Sequence, residues 1–566
     1  MERNKQLISS FSDWSSFMKD LSMGLDLINI LINKIKPCQW SELFFTESKE
    51  ILGEKLALTK EMIETVHIHF NRTADEQVMK FMNQNIDLNE DESSNESIIN
   101  FIDNLPADSI PNSTKYASFT YLCNMPSAYI QTRVKLLYFF NVLLRKTLSL
   151  TNLILPSGIG FIVDRIRSAR HYILFETKFR KFNAALIKTK DSSDSSEVEI
   201  KFDIVKASVA ERFEDTMFYQ VYEQIHSNAS RIFRRSADEH VWKAVYVGMF
   251  SYDQGGPYRD SVTRICADLC STRLPLFILC PNGRTNNGSN RDRWIPNVFP
   301  PNRSIPINIK NQYRFVGQLM GMAMRTKHYL DVRFPTLLWK QLVQEEVTIE
   351  DIEAIDISSF AIINEMEENI RKIKDMNESD NSDVNKNCDY LLSSIMTELK
   401  FDVVSSAGQT YELIPGGFHI PITVANFEDY CIRYRQYRIK EFHRQIEFIR
   451  QGLYSVVPWA CLTLFTAHEL EEAICGKGHT DIEMLKRHTD YDEDDESSPR
   501  IQKFWSVLSE MFSEEQKKLF LIFVWGRSTL PYRDDDFSTN FLITHLEPDD
   551  NVDEALPRKF ISMIEF

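Results

Sequence analysis

The chain has 566 residues, 43% apolar and 26% charged, with a net charge of −16, a length that suggests roughly three or four domains of a soluble globular protein. That charge speaks against a generic nucleic-acid binder, which needs a basic field to displace phosphate counterions. No apolar run is long enough to span a bilayer, and the start, Met1-Glu2-Arg3-Asn4-Lys5-Gln6, does not lead into a signal-peptide core. Nine scattered cysteines, an odd number, form no disulfide framework. The expectation is a cytoplasmic protein, with the nucleus left open, needing no cofactor.

Residues 4–35 read as one long helix. Leu7, Phe11, Trp14, Met18, Leu21, Leu25, Ile28, Ile32 and Ile35 follow a heptad seam. Phe17, Leu27, Ile30 and Leu31 widen the stripe, which suits a helix packed in a bundle, with dimerisation as the alternative. Pro37 ends the helix. Residues 50–85 and 130–150 also carry helical patterns. Between them, 86–115 is polar and acidic, contains Pro106 and Pro111, and reads as a loop or disordered insert. A basic run follows, Arg165, Arg167, Arg170, His171, Lys178, Arg180 and Lys181, and reads as a solvated helix face.

From Val198 the texture changes. Val198 to Ile204 alternates as a strand does, and helical patterns cover 208–232, 257–272, 310–329 and 426–451. Short strand-like pieces at Leu399–Ser405 and Ile420–Val424 make the class α+β rather than a doubly wound sheet. Gly317 and Gly321 lie four apart on one helical face, a spacing for close helix contact. Cys266 and Cys270 have a spacing compatible with a metal. With no His or Cys pair near them in sequence they read as core thiols, so no metal site is expected.

Six blocks in a fixed order carry a resemblance. They are Gly255 to Asp260; Tyr313 to Ala323; Asp331 to Trp339; Arg444 to Phe448 with Gln451-Gly452-Leu453; Glu469 to Gly476; and Phe504-Trp505 with Phe523 to Pro531. Together they resemble the HECT ubiquitin ligases, the giant-ligase group above all, over roughly residues 195–557. The resemblance implies a bilobal domain: an N-lobe over 195–489 that docks a ubiquitin-conjugating enzyme on a subdomain at about 350–415, an interlobe hinge at the acidic stretch 490–499, and a C-lobe over 500–566. Residues 1–190 form a helical region ahead of it. By the same resemblance the docking residues are Phe360, Ile363 and Met366, with Tyr390 and Leu391 as weaker candidates. A plain core stripe is the alternative reading of that spacing. The implied partners are a ubiquitin-conjugating enzyme, ubiquitin and a protein substrate.

The family's chemistry needs a C-lobe cysteine, whose thiolate accepts ubiquitin as a thioester reactive toward a lysine amine. That cysteine follows a Leu-Pro by a few residues. Here Leu556-Pro557 is present, Ser562 occupies the expected position, and no cysteine follows Cys475. A serine hydroxyl without an adjacent base is a poor nucleophile, and its ester a poor donor. The C-lobe is therefore expected to be truncated and the chain inactive as written. Two explanations stay open: residues 558–566 are not the natural end, or the chain is an adaptor that binds the conjugating enzyme without transferring ubiquitin.

Overall fold

The computed structural model describes residues 18–28, 31, 42–66, 69–85, 93–111, 119–148, 151–155, 158, 161–191, 198–237, 239–249, 256–377, 399–423, 426–492, 495–525, 529–531, 534, 537 and 540–544. The chain divides into two compact units, Met1–Lys188 with Pro458–Thr466, and Thr189–Val457 with Ala467–Phe566.

The first unit is helical. Residues 18–28 form a helix that buries Leu21, Leu27 and Ile28; the rest of the helix expected over 4–35, residue 31 apart, lies outside the described residues. Helices α1 (Glu42–Leu52), α2 (Lys60–Val66), α3 (Arg72–Asn85) and α4 (Ser93–Asp103) precede α5 (Ser127–Leu148). In α5 the residues Ile130, Val134, Leu137, Phe139, Phe140 and Leu143 are all fully buried. A helix apolar around most of its circumference belongs in the middle of a bundle, and α2 and α3 both pack on it. Polar groups on α5 are paired: Arg133 forks onto Asp75 of α3 with Nε···Oδ1 at 2.6 Å and Nη2···Oδ2 at 2.7 Å. Asn141 donates to the Leu137 and Tyr172 carbonyls and accepts from the Leu174 amide at 2.7 Å.

Two sequence expectations change here. The acidic insert 86–115 contains α4. Its Ile98, Phe101 and Ile102 are buried, with the Phe81 and Phe101 rings 5.1 Å apart. Local apolar spacing within an acidic stretch outweighs its net charge. Nor is the basic run simply a solvated face. On α6 (Phe161–Ser168) and α7 (Phe175–Lys188), and in the turn between them, Arg167, Arg170 and Lys178 are buried. Arg167 donates to the Leu153 and Leu155 carbonyls, both at 2.8 Å, and Lys181 Nζ to the Leu148 carbonyl that ends α5. These cations satisfy carbonyls that have no helical partner.

The second unit opens with β1 (Val198–Phe202) paired in parallel with β2 (Trp242–Tyr246). The strand expected to run to Ile204 stops earlier: Asp203 caps the next short helix, its carboxylate accepting from the Lys206 amide. The expected helix over 208–232 is broken into shorter pieces, of which α8 (Met217–Ile225) packs on β1 and on α9 (Gly256–Leu269). A small hairpin joins β3 (Phe277–Leu279) to β4 (Trp294–Pro296). The densest packing lies between α10 (Ile307–Thr326) and, far along the chain, α13 (His443–Val456). A Cβ on Gly317 would overlap the Ile449 carbonyl oxygen, one on Gly452 the Arg314 carbonyl oxygen, and one on Gly321 the Val456 side chain. The glycine spacing thus marks a helix contact that admits no Cβ.

Between those helices the chain builds a small subdomain from α11 (Ile357–Asn377), the hairpin β5 (Asp402–Val404) and β6 (Thr410–Glu412), and α12 (Phe427–Lys440). After α13 come α14 (Ala467–Cys475) and α15 (Ile482–Arg487). The C-terminal part holds β7 (Thr489–Tyr491), α16 (Pro499–Ser506), α17 (Glu514–Trp525) and β8 (Phe541–Ile543). Strands β7 and β8 pair in parallel. Ile482, Leu485, Ile501, Trp505, Leu508, Leu521 and Leu530 form one small core, with Tyr491 packed against it. Of the acidic stretch 490–499, residues 490–492 and 495–499 are described, and both of these ends meet structured elements. Tyr491 Oη accepts from Trp505 Nε1 at 2.9 Å, and Pro499 is the first residue of α16.

Candidate docking surface and transfer site

The subdomain is held together by buried charge. Asn282, itself buried, accepts from the Ile357 amide at 2.9 Å and donates to the Ala354 and Ser289 carbonyls, fixing the start of α11. On α12, Arg435 forks onto Glu367 of α11 with both bonds at 2.6 Å. One turn on, Arg438 is buried among Asp356 (2.9 Å), Ser406 Oγ (3.0 Å) and Glu441, whose carboxylate takes the Ser406 amide and hydroxyl at 2.7 Å each. The Arg284 guanidinium reaches the Ser406 carbonyl as well. Burial opposes the Arg438 charge, yet Glu441, Tyr434 and Asp356 hold its pKa above the ordinary arginine value. Burial pushes the Glu441 carboxyl up, against the pull of Arg438 and the Ser406 donors. This network was not foreseen from the sequence; its only signal there is Arg438 and Glu441 three apart at the end of an aromatic-rich helix.

Of the docking residues expected on α11, Phe360 and Ile363 are buried in this subdomain. The Phe360 ring lies 5.9 Å from Tyr434 and 5.7 Å from the Arg438 guanidinium carbon. Met366 is half-buried. Tyr390 and Leu391 lie outside the described residues. Among the described side chains of α11, the large apolar ones exposed to solvent are Ile362, 61% exposed, and Ile357, 45% exposed. The spacing located the stripe but not the accessible face beside it.

The transfer chemistry needs an accessible thiolate. Cys266, Cys280, Cys431 and Cys461 are buried. Burial pushes the Cys270 thiol up to about 11 and the Cys431 thiol up to about 12. Burial likewise raises Cys266 and Cys475 well above the ordinary thiol range, and raises Cys280 and Cys461. Cys475 Sγ lies 3.8 Å from the Val332 carbonyl, and Cys270 Sγ accepts from the Arg333 amide at 3.3 Å. Four of these thiols are buried and Cys270 and Cys475 half-buried, and their raised pKa values make them poor nucleophiles. Ser562 and the whole of 558–566 lie outside the described residues. Among the described residues no group of three or more His, Cys, Asp or Glu could hold a metal ion, and no helix is long and apolar enough to cross a membrane.

A mostly helical body with a charge-locked subdomain and a small C-terminal α/β core defines a HECT-type ubiquitin-transferase architecture. A family model described as HECT-domain (ubiquitin-transferase) matches residues 263–558, just over half of the chain. The chain belongs to that family. It is similar to the human E3 ubiquitin-protein ligase HERC2, at 34% identity over 324 residues, 56% of this chain and 6% of that protein. It is also similar to the human probable E3 ubiquitin-protein ligase HECTD4, at 26% over 436 residues, 73% of this chain and 10% of the relative. With the yeast E3 ubiquitin-protein ligase RSP5 of Saccharomyces cerevisiae it shares 31% over 233 residues, 41% of this chain and 26% of the relative. The chain thus spans only a small part of the length of these proteins.

Proposed function

We propose that the chain is the ligase portion of a HECT-type ubiquitin-protein transferase: its second unit receives a charged ubiquitin-conjugating enzyme, and ubiquitin reaches a substrate lysine through a cysteine thioester. The reading is supported by the family match over 263–558 together with the six blocks that run through it in order. The 566 residues themselves carry no cysteine after Cys475. The described thiols with shifted pKa values are raised, the reverse of what an acceptor requires. For the 566 residues taken alone, those raised thiols favour a second reading, an adaptor that holds the conjugating enzyme without accepting ubiquitin. Incubation of the chain with ubiquitin-charged conjugating enzyme, run on gels with and without reductant, separates the cases. The first reading requires a reductant-sensitive ubiquitin adduct on a chain that carries the transfer cysteine; these 566 residues, without a cysteine after Cys475, are expected to bind the conjugating enzyme and show no such adduct. Appearance of that adduct would show that these residues hold an acceptor thiol and would exclude the adaptor reading.

For docking, the exposed side of α11 is the proposed contact, with Ile362 and Met366 touching the partner and Phe360 and Ile363 supporting them from beneath. Ile362→Asp is expected to weaken conjugating-enzyme binding while leaving the unfolding temperature unchanged. Ile363→Ala is expected to lower stability by about 2–5 kcal/mol. If Ile362→Asp binds as tightly as the parent chain in calorimetric titration, the docking face lies elsewhere.

A further inference from the structure

We propose that Ser498 is a phosphorylation site for a proline-directed protein kinase. Of the chain's 20 prolines only Pro499 follows a serine or threonine. The backbone at Ser498 is extended, with φ −57° and ψ 131°, as a residue before proline prefers, and an extended acceptor is the shape a kinase cleft takes in. Asp495, Glu496, Ser497, Pro499 and Arg500 are all exposed and Ser498 is half-buried. The segment is shaped by a local turn. The Ser498 amide donates to the Asp495 carbonyl at 3.1 Å, and the Ser497 amide and hydroxyl donate to one Asp495 carboxylate oxygen at 2.8 and 2.6 Å. Opening that turn into a cleft costs at least those bonds, and the helix that follows is held by the buried Ile501 and Trp505. No proline follows the neighbouring Ser497, whose hydroxyl donates to Asp495.

The reaction is a phosphoryl transfer from ATP bound with magnesium in the kinase. Ser498 Oγ attacks the γ-phosphorus, the bond from that phosphorus to the bridging oxygen breaks, ADP leaves, and the hydroxyl proton passes to the kinase's catalytic carboxylate. The product carries about −1.5 to −2 charge at the N-cap of α16, where the serine side chain makes no capping hydrogen bond to the helix. Phosphate is favoured by the amide end of a helix and by Arg500 and Lys503, and opposed by Asp492, Asp495 and Glu496. The modification would therefore act on the joint between β7 and α16.

The test uses the full chain, MgATP and a mitogen-activated or cyclin-dependent protein kinase, with sites mapped by mass spectrometry. A peptide of residues 488–504 is labelled in parallel. The expected result is phosphate on Ser498 in both, lost in Ser498→Ala and in Pro499→Ala, which keeps both serines. Labelling of the peptide but not of the folded chain overturns the proposal, because the turn then shields the acceptor. Phosphate that persists undiminished in Ser498→Ala, or absence of label from both, overturns it as well.

Discussion

Arg438 is buried with two carboxylates beside it, and such a group is costly to leave half-paired. Removing one partner of a buried ion pair strands the other in a medium that cannot solvate it, at about 3–5 kcal/mol. Arg438→Ala is therefore expected to destabilise the subdomain by that order, read as a lowered urea midpoint. Glu441 adds a dependence on pH. Burial raises its carboxyl above the ordinary value of 4.5, so the folded chain holds that proton more readily than the unfolded chain. The contribution is fully present below the ordinary value and is lost as pH rises through the folded-state pKa. Glu441→Gln cannot ionise, so its stability should vary less across that window. A variant with an unchanged slope in urea titrations would assign the pH dependence to another group.

At the scale of helices, the contact between α10 and α13 rests on missing side chains. A Cβ at Gly317 would meet the Ile449 carbonyl, so Gly317→Ala must push two helices apart. Overpacking of this kind costs about 1–3 kcal/mol. Gly478→Ala meets nothing within 4 Å and is the control, expected to leave the thermal midpoint unchanged. The Gly317/Gly321 spacing was legible because helix periodicity is local. Its partner was not, since α13 lies more than a hundred residues on. The same limit explains Arg167 and Arg170. Their charge reads as surface, and only the tertiary structure shows them bonded to the Leu153, Leu155 and Phe465 carbonyls. Likewise Phe360 and Ile363 show a stripe by spacing, while the face it turns to depends on Tyr434 and Arg438 some seventy residues later. The expected docking residues were thus legible as a helical stripe, while the burial of Phe360 and Ile363 was not.

The whole molecule raises a question about where the folding unit begins. Residues 458–466 fall inside the family match at 263–558 but pack with the helices of residues 1–188. Phe465 is fully buried, its ring 5.9 Å from Phe175 and 5.4 Å from Phe182. Leu462 and Leu464 are also fully buried, and Arg167 Nε reaches Thr463 Oγ1 at 3.3 Å. A fragment beginning at residue 189 loses α6 and α7, and with them the Phe175 and Phe182 rings against Phe465 and the α7 contact of the short helix Trp459–Leu462. Each uncovered side chain forfeits about 1.5–3 kcal/mol of burial, a large share of the 5–15 kcal/mol that holds a domain. The fragment 189–566 is expected to bind a hydrophobic dye and to unfold at a lower temperature than the full chain. Phe465→Ala in the full chain should reproduce part of that loss, about 3–5 kcal/mol. If the fragment unfolds at the temperature of the full chain, residues 458–466 find equal burial without the N-terminal helices, and those helices are not part of the ligase portion's fold.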